Sequence, residues 1–412
     1  MKYVITGAST YGVKNMGDDA MLANLVQGIN REDLDANITF LARHPDKSYD
    51  KEFGFNSLKN IDHDSKEESI DRFFYGFNRN DNTDHLVKIK QAIETADLLI
   101  IGGNSFMEIS KNSFLRGVSS YAVTLATLSK FVGTPFALYG LNIVDPIKDE
   151  TTIQHAKFLC TNAIAVTVRE PGVFEYLDQI GVSTKNMYVL GDPAFGIEAT
   201  YDLNKVKEIL RKSNITLKDK PVLTVGYRFE YWINNEKLFE KQAEKIAQFL
   251  DDIIKKYDYQ VLFIPNCTYT KGHKWQDDRL THRLIRKHMQ FKEKAYLIEQ
   301  DLNVFETYAL FSLSDLHISN RRHSNAFAAL NGKMFFSINV SMKTHMSALL
   351  KNLDTPELMM DLNMNSSTLM KKFEDTIAKE ETIKAKLEKN ISLLRKQVRK
   401  HVPVILEKIY RK

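Results

Sequence analysis

The sequence predicts an α/β protein built from two doubly wound domains that face each other across a cleft, followed by a long helical segment. Three observations lead there. Short runs of apolar residues recur without polar alternation, as in parallel strands covered on both faces. Segments with apolar residues at helical spacing follow these runs, which implies right-handed strand–helix–strand units. The rhythm occurs twice, with a seam at about 195–204, so the halves divide as 1–198 and 199–365, with a helical segment at 366–412. A length of 412 residues suits two or three domains.

In the first half, 3–6 reads as a buried strand, 18–29 as a helix and 38–41 as a strand. The run LLII at 98–101 is a strand ended by Gly102-Gly103, and 119–131 is a helix. Strands at 135–139 and 163–168 enclose another helical stretch, and 188–190 closes the series before Gly191. The polar stretch 46–84, with its cluster Phe73-Phe74-Tyr75, breaks the rhythm and reads as an insertion or a loop on the active-site side. In the second half, strands are expected at 222–225, 260–265, 295–298, 316–319 and 333–338. Helices are expected at 239–255, 277–288, 304–313 and 324–330. From 366 the pattern is amphipathic helix, interrupted near Pro403. Leu387, Ile391, Leu394 and Val398 share one stripe there, and Lys386, Lys389, Lys396 and Lys400 lie off it.

Composition narrows the functional classes. Hydrophobic residues at 43% and charged residues at 26% exclude a largely disordered chain. Cys160 and Cys267 are the two cysteines; far apart and outside any CxxC pair, they point to a reducing compartment rather than a disulfide scaffold or metal site. No apolar run approaches the ~20 residues of a membrane span. The apolar run in MKYVITGAS is too short for a signal peptide core, so a cytoplasmic location is expected. The segment 366–412 carries 13 Lys and Arg against 6 Asp and Glu, which leaves the rest of the chain at −2. A near-neutral body argues against nucleic acid as a partner. The basic segment suits either a solvated helix face or the anionic inner face of a membrane.

Ligands in open α/β sheets bind beyond the carboxyl ends of the strands. After the first strand comes a glycine-containing turn through Asn15, Gly17 and Asp18 into a helix, open to an anion; the plainer reading makes Asp18 an N-cap. The turn matches neither a P-loop nor GxGxxG. Gly102-Gly103-Asn104-Ser105 allows close backbone approach and offers hydrogen bonds to a ligand hydroxyl, or is simply a tight turn. Gly140-Leu141-Asn142 is another small, polar strand end. Arg169 at the mouth of a buried strand needs a carboxylate or phosphate, supplied by a ligand or by Glu170 beside it. The strongest signal is Arg321-Arg322-His323, where a strand runs into a helix rich in small residues. Arginine forks bind phosphate and carboxylate, and histidine moves protons near neutral pH. A basic surface turn would carry the same residues.

Taken in order, these strand ends resemble the polysaccharide pyruvyltransferase family. The motifs are Gly12-x-x-Asn15-x-Gly17-Asp18-x-Ala20-Met21-Leu22, Gly102 to Ser105, Val168-Arg169-Glu170, Gly191-Asp192-Pro193 and Arg321-x-His323, within a resemblance spanning about 1–347. It implies a two-domain fold like that of B-type (GT-B) glycosyltransferases, with Rossmann-like halves. It also implies transfer of pyruvate from phosphoenolpyruvate onto two hydroxyls of a sugar as a cyclic ketal. The acceptor would be a cell-surface glycan or its lipid-linked precursor, on the first domain, with phosphoenolpyruvate on the second. On this resemblance Arg169, Arg321 and His323 match donor-site cations and Asp18 matches a carboxylate. His323 becomes the candidate acid and Asp18 the candidate base, labels that can be exchanged. Arg322, Asn15, Gly17, Gly103, Asn104, Ser105 and Asn142 join as binding residues. Neither a cofactor nor a metal is expected. This sequence departs from the family at Arg322, usually leucine-like, at Ser324, usually alanine, and at Gly140-Leu141-Asn142, which lacks a second glycine. Two other readings stay open: a GT-B glycosyltransferase using a nucleotide sugar, with Glu299 or Asp301 reading the ribose, and a non-catalytic sugar- or anion-binding protein. The helical segment 366–412 is expected to return to the first domain.

Overall fold

A computed structural model describes residues 1–7, 13–61, 67–68, 80–102, 105–106, 118–143, 146–199, 202–339 and 344–410. The chain forms two compact units, Met1–Glu198 with Leu394–Lys412, and Ala199–Leu393.

In unit 1, strands β1 (Lys2–Thr6), β2 (Asn37–Ala42), β3 (Asn56–Lys59), β4 (Leu98–Gly102), β6 (Phe136–Ile143), β7 (Val166–Val168) and β8 (Met187–Val189) form one parallel sheet in the order β3-β2-β1-β4-β6-β7-β8. The two-residue β5 (Ser105–Phe106) pairs with β6, Ser105 lying opposite Asn142. The sheet is wound outward from β1 and then from β4, so the ends of β1 and β4 flank the point where the winding reverses. Every residue of β4 is buried, as its unbroken apolar run requires. The covering helices are α1 (Met16–Glu32), α2 (Lys47–Phe53), α3 (Asn80–Glu94), α4 (Val118–Val132), α5 (Glu150–Asn162) and α6 (Pro171–Gln179). The stretch 46–84 is therefore not a mere insertion: α2, β3 and the start of α3 continue the strand–helix rhythm. It reads as polar because β3 is an edge strand with no fully buried residue. Phe73, Phe74 and Tyr75 lie outside the described residues.

In unit 2, β9 (Val222–Gly226), β10 (Gln260–Phe263), β11 (Ala295–Leu297), β12 (Leu316–Ser319), β13 (Met334–Asn339) and β14 (Met359–Asp361) form a second parallel sheet, ordered β11-β10-β9-β12-β13-β14. Its winding reverses between β9 and β12, where Gly226 and Ser319 stand opposite each other. The helices are α7 (Leu203–Lys212), α8 (Glu236–Tyr257), α9 (Asp278–His288), α10 (Val304–Leu310), α11 (Arg322–Leu330) and α12 (Thr344–Asn352). Cys160 and Cys267 are buried free thiols, one in each unit.

Three helices follow β14: α13 (Ser366–Ile377), α14 (Glu380–Val398) and α15 (His401–Tyr410). They are shared between the units. Phe373 of α13 packs on Phe249 of α8 and Phe336 of β13, inside unit 2. Early α14 stays there too: Asn390 Nδ2 donates to the Leu353 carbonyl at 2.9 Å. From Leu394 the chain belongs to unit 1. The stripe of α14 is turned inward, with Leu387, Ile391 and Val398 buried. Lys386 is not a free member of the lysine face; its ammonium lies 3.5 Å from Asp354 and 3.7 Å from Glu357. Lys389, Lys396 and Lys400 are exposed. Pro403 falls in the first turn of α15, where its missing N–H leaves no helical bond unmade. That helix packs against α1 at Gly28, where a Cβ would lie 2.6 Å from Val402 Cγ2.

Candidate functional site

At the end of β1, Asn15 rather than Asp18 caps α1. Its Oδ1 accepts from the Gly17 N–H at 3.4 Å and its Nδ2 donates to the Asp18 carboxylate at 2.7 Å. Asn15, Gly17 and Asp18 thus form one turn, with a carboxylate held in the first turn of a 17-residue helix. Its neighbour Asp19 is buried and accepts from Tyr49 Oη at 2.7 Å. Gly103 and Asn104 lie outside the described residues, and Ser105 is described only as backbone in β5. Asn142 is buried near the end of β6.

Arg169 follows β7 and points into unit 1. Its Nε donates to the Gly140 carbonyl at 2.9 Å, and Nη1 stands 3.6 Å from Asp192. The ion pair is with Asp192 rather than with Glu170, which occupies the N-cap position of α6. Gly140 has a φ of +64°, and a Cβ there would meet Pro193 Cγ at 2.7 Å, so glycine is required. The Gly140 N–H donates to Thr167 Oγ1 at 2.9 Å, and Thr167 Oγ1 bonds to His401 Nδ1 at 2.7 Å. His401 Nε2 completes the chain to the Gly191 carbonyl at 3.1 Å. Burial pulls the His401 pKa down to about 4, so its ring is neutral near pH 7. A neutral ring with Nε2–H donating to Gly191 and Nδ1 accepting from Thr167 satisfies every bond in the series.

In unit 2 the end of β12 is a cation turn. All four residues of β12 are buried. The Ser319 hydroxyl donates to the Gly226 carbonyl and accepts from the Arg321 N–H, the latter at 2.8 Å. Arg321 occupies the N-cap position of α11 without a side-chain cap bond. Nη1 lies 3.8 Å from Asp278, a fully buried carboxylate whose other oxygen accepts from the Asn266 and Cys267 N–H groups at 2.9 and 3.0 Å. Arg322 and His323 form the first turn of α11 and are partly exposed. The departure at Ser324 has a structural reason. Its buried hydroxyl bonds to His317 Nε2 at 2.9 Å and accepts from Asn266 Nδ2 at 3.1 Å. The buried alanines of α11 bring that helix close to the sheet.

The structure therefore gathers Arg321, Arg322 and His323 at one helix start, and Asn15, Gly17 and Asp18 at another. Arg169 is built into unit 1 through Asp192. Sequence reasoning missed Arg228, just beyond β9, whose backbone N–H and carbonyl are both bonded by the Asn320 side chain, at 2.9 and 2.7 Å. Only sheet register marks it: Arg228 and Arg321 each stand two residues beyond the pair Gly226 and Ser319. Of the two proposed ribose readers, Glu299 pairs with Arg283 and Asp301 with Arg279. The cation turn is suited to hold an oxyanion, because it sets two arginines and a histidine at a helix N-terminus. Among the described residues no group of three or more His, Cys, Asp or Glu side chains is placed to hold a metal ion.

Comparison with known proteins agrees. The chain is 23% identical to the amylovoran biosynthesis protein AmsJ of Erwinia amylovora over 400 residues, covering 90% of this chain and 91% of that protein. In fold it is similar to UDP-GlcNAc 2-epimerase from Neisseria meningitidis, solved with UDP-GlcNAc, at a TM-score of 0.60 and 10% identity over 100% of both chains. It is also similar to ADP-heptose lipopolysaccharide heptosyltransferase II from E. coli, at 0.52 and 12%, covering 92% of this chain and 100% of that one. These likenesses place the fold in the GT-B-like class of paired doubly wound units. The model of the polysaccharide pyruvyl transferase family matches residues 15–342, a span that includes both the Asn15–Asp18 turn and the cation turn. By that match, the chain belongs to the polysaccharide pyruvyl transferase family.

Proposed function

We propose that this protein transfers the pyruvyl group of phosphoenolpyruvate onto two hydroxyls of a sugar, forming a cyclic ketal on a glycan or its lipid-linked precursor and releasing phosphate. The observation that carries the reading is the cation turn of Arg321, Arg322 and His323 at the start of α11, next to the reversal point of the unit 2 sheet. Phosphoenolpyruvate presents a phosphate and a carboxylate, and such a turn meets both. In the reaction His323 protonates the donor's methylene carbon, and one sugar hydroxyl attacks the adjacent carbon. The second hydroxyl then displaces phosphate. One hydroxyl proton replaces the one His323 gave and the other leaves with phosphate. The arginines stabilise the departing phosphate. Asp18 is the candidate base toward the hydroxyl, and Asn15, Gly17, Gly103, Asn104, Ser105 and Asn142 are candidate acceptor contacts. The donor itself carries the group to be moved, so the reading requires no cofactor.

The test is incubation with phosphoenolpyruvate and a panel of synthetic and lipid-linked glycosides. Acceptor-dependent phosphate release with a mass gain of one pyruvyl unit is expected. Sugar transfer from a nucleotide sugar, with no use of phosphoenolpyruvate, would replace this reading with the glycosyltransferase one. No helix among the described residues is long and apolar enough to cross a membrane. Contact with an anionic membrane is proposed through Lys389, Lys396 and Lys400. Replacing them by glutamine should weaken binding to anionic vesicles at low salt; unchanged binding removes the contact.

A further inference from the structure

We infer that Arg228 is an additional oxyanion-binding residue of unit 2, acting beside Arg321 on the phosphate or carboxylate of the donor. The inference rests on the phosphoenolpyruvate reading for the identity of that donor. Four observations carry it. Arg228 stands beyond β9 at the position that matches Arg321 beyond β12, so the two arginines flank the reversal point of the sheet. Its backbone is fixed on both sides by Asn320, the residue before Arg321. Its guanidinium lies over Tyr231, 5.3 Å from the ring centroid, and over Trp232 at 5.7 Å. Among the described residues that guanidinium makes neither a hydrogen bond nor an ion pair. An arginine held by its face on aromatic rings keeps its edge, with five N–H donors, for a ligand.

The electrostatics of Arg228 point the same way. Asp278 acts electrostatically on Arg228 and lies 3.8 Å from Arg321, and its other oxygen is already engaged by two backbone N–H groups. Burial, and after it the neighbouring charge of Arg321, lowers the Arg228 pKa from its ordinary value. A bound oxyanion would relieve that repulsion and give the Arg228 fork a partner.

The experiment is titration calorimetry of the full chain with phosphoenolpyruvate, inorganic phosphate and UDP in separate runs, for wild type, R228Q and R228K, with pyruvyl transfer followed by product mass. R228Q is expected to bind phosphoenolpyruvate and phosphate about tenfold more weakly or worse. R228K, which keeps the charge and the stem, is expected to lose several-fold, because an ammonium cannot supply a fork. Equal binding of phosphoenolpyruvate by wild type and both variants, with transfer intact, overturns the role of Arg228 and leaves the proposed function standing. Wild-type binding of UDP in place of phosphoenolpyruvate, weakened by R228Q, keeps Arg228 as an oxyanion ligand and overturns the donor. Absence of binding to all three probes overturns the inference itself.

Discussion

The two sheets end differently at their carboxyl edges. In unit 1 the ends of β6, β7 and β8 are filled by the protein itself. Arg169 is tied to Gly140 and Asp192, and His401 joins Thr167 to Gly191. Gly191, at φ +84°, leaves room for Leu394, whose Cδ1 would lie 2.6 Å from a Cβ at that position. In unit 2 the ends of β9 and β12 carry Arg228, Arg321, Arg322 and His323, with Arg321 3.8 Å from the buried Asp278. Motifs of similar appearance thus do different work. The glycines and the Gly191-Asp192-Pro193 segment of unit 1 seat a returning helix, whereas the turn of unit 2 keeps its cations at the sheet edge.

Removing residues 401–412 breaks this contrast most strongly. Val402, Ile405 and Leu406 are buried on unit 1. At roughly 1.5–3 kcal/mol for each buried side chain the loss is about 5 kcal/mol or more. Calorimetry should show the unfolding transition of unit 1 lost or shifted far down while that of unit 2 persists. A truncated protein melting at the full-length temperature would contradict it. Arg169→Ala should follow, costing about 3–5 kcal/mol because the buried Asp192 loses its ion pair with Arg169; denaturant unfolding measures it. Arg321→Ala is expected to act on ligand rather than fold, weakening phosphoenolpyruvate by about 1.5–3 kcal/mol with a smaller change in unfolding than Arg169→Ala produces. Arg321→Lys should restore little of that affinity. His323→Ala should lower kcat more than it raises KM.

Per pH unit, the smallest effect is in pH dependence. His401 in unit 1 has its pKa pulled down to about 4 by burial, and in unit 2 burial brings His282 to about 4 and His317 to about 3. Unfolded histidine titrates near 6.5. Between that value and the folded one, the unfolded chain binds more protons, so stability falls as pH drops through the window. Each histidine contributes at most about 1.4 kcal/mol per pH unit. His401→Gln should flatten the acid loss of unit 1 between about pH 6.5 and 4 and leave the slope of unit 2 unchanged, as urea titrations across pH would show.

How much of this is readable without coordinates depends on where each interaction is local. β4 is legible because burial on both faces demands an unbroken apolar run, and the cation turn because three ionisable residues are adjacent. β3 is hidden by its exposed edge position, and β14 by its length of three residues. The partner of Arg169 is Asp192, on the next strand end, rather than Glu170 beside it in sequence. Arg228 carries no motif, and only the pairing of β9 with β12 puts it beside Arg321. The cap at Asn15 was displaced from Asp18 because the helix starts earlier than its first apolar stretch suggests.

The close approach at Gly28 has a consequence for synthesis. Unit 2 is continuous from Ala199 to Leu393, whereas unit 1 is finished only by helix α15 against α1. On a translating ribosome the second unit can therefore complete its fold before the first, which waits with an open groove beside α1 until residues beyond Leu393 emerge.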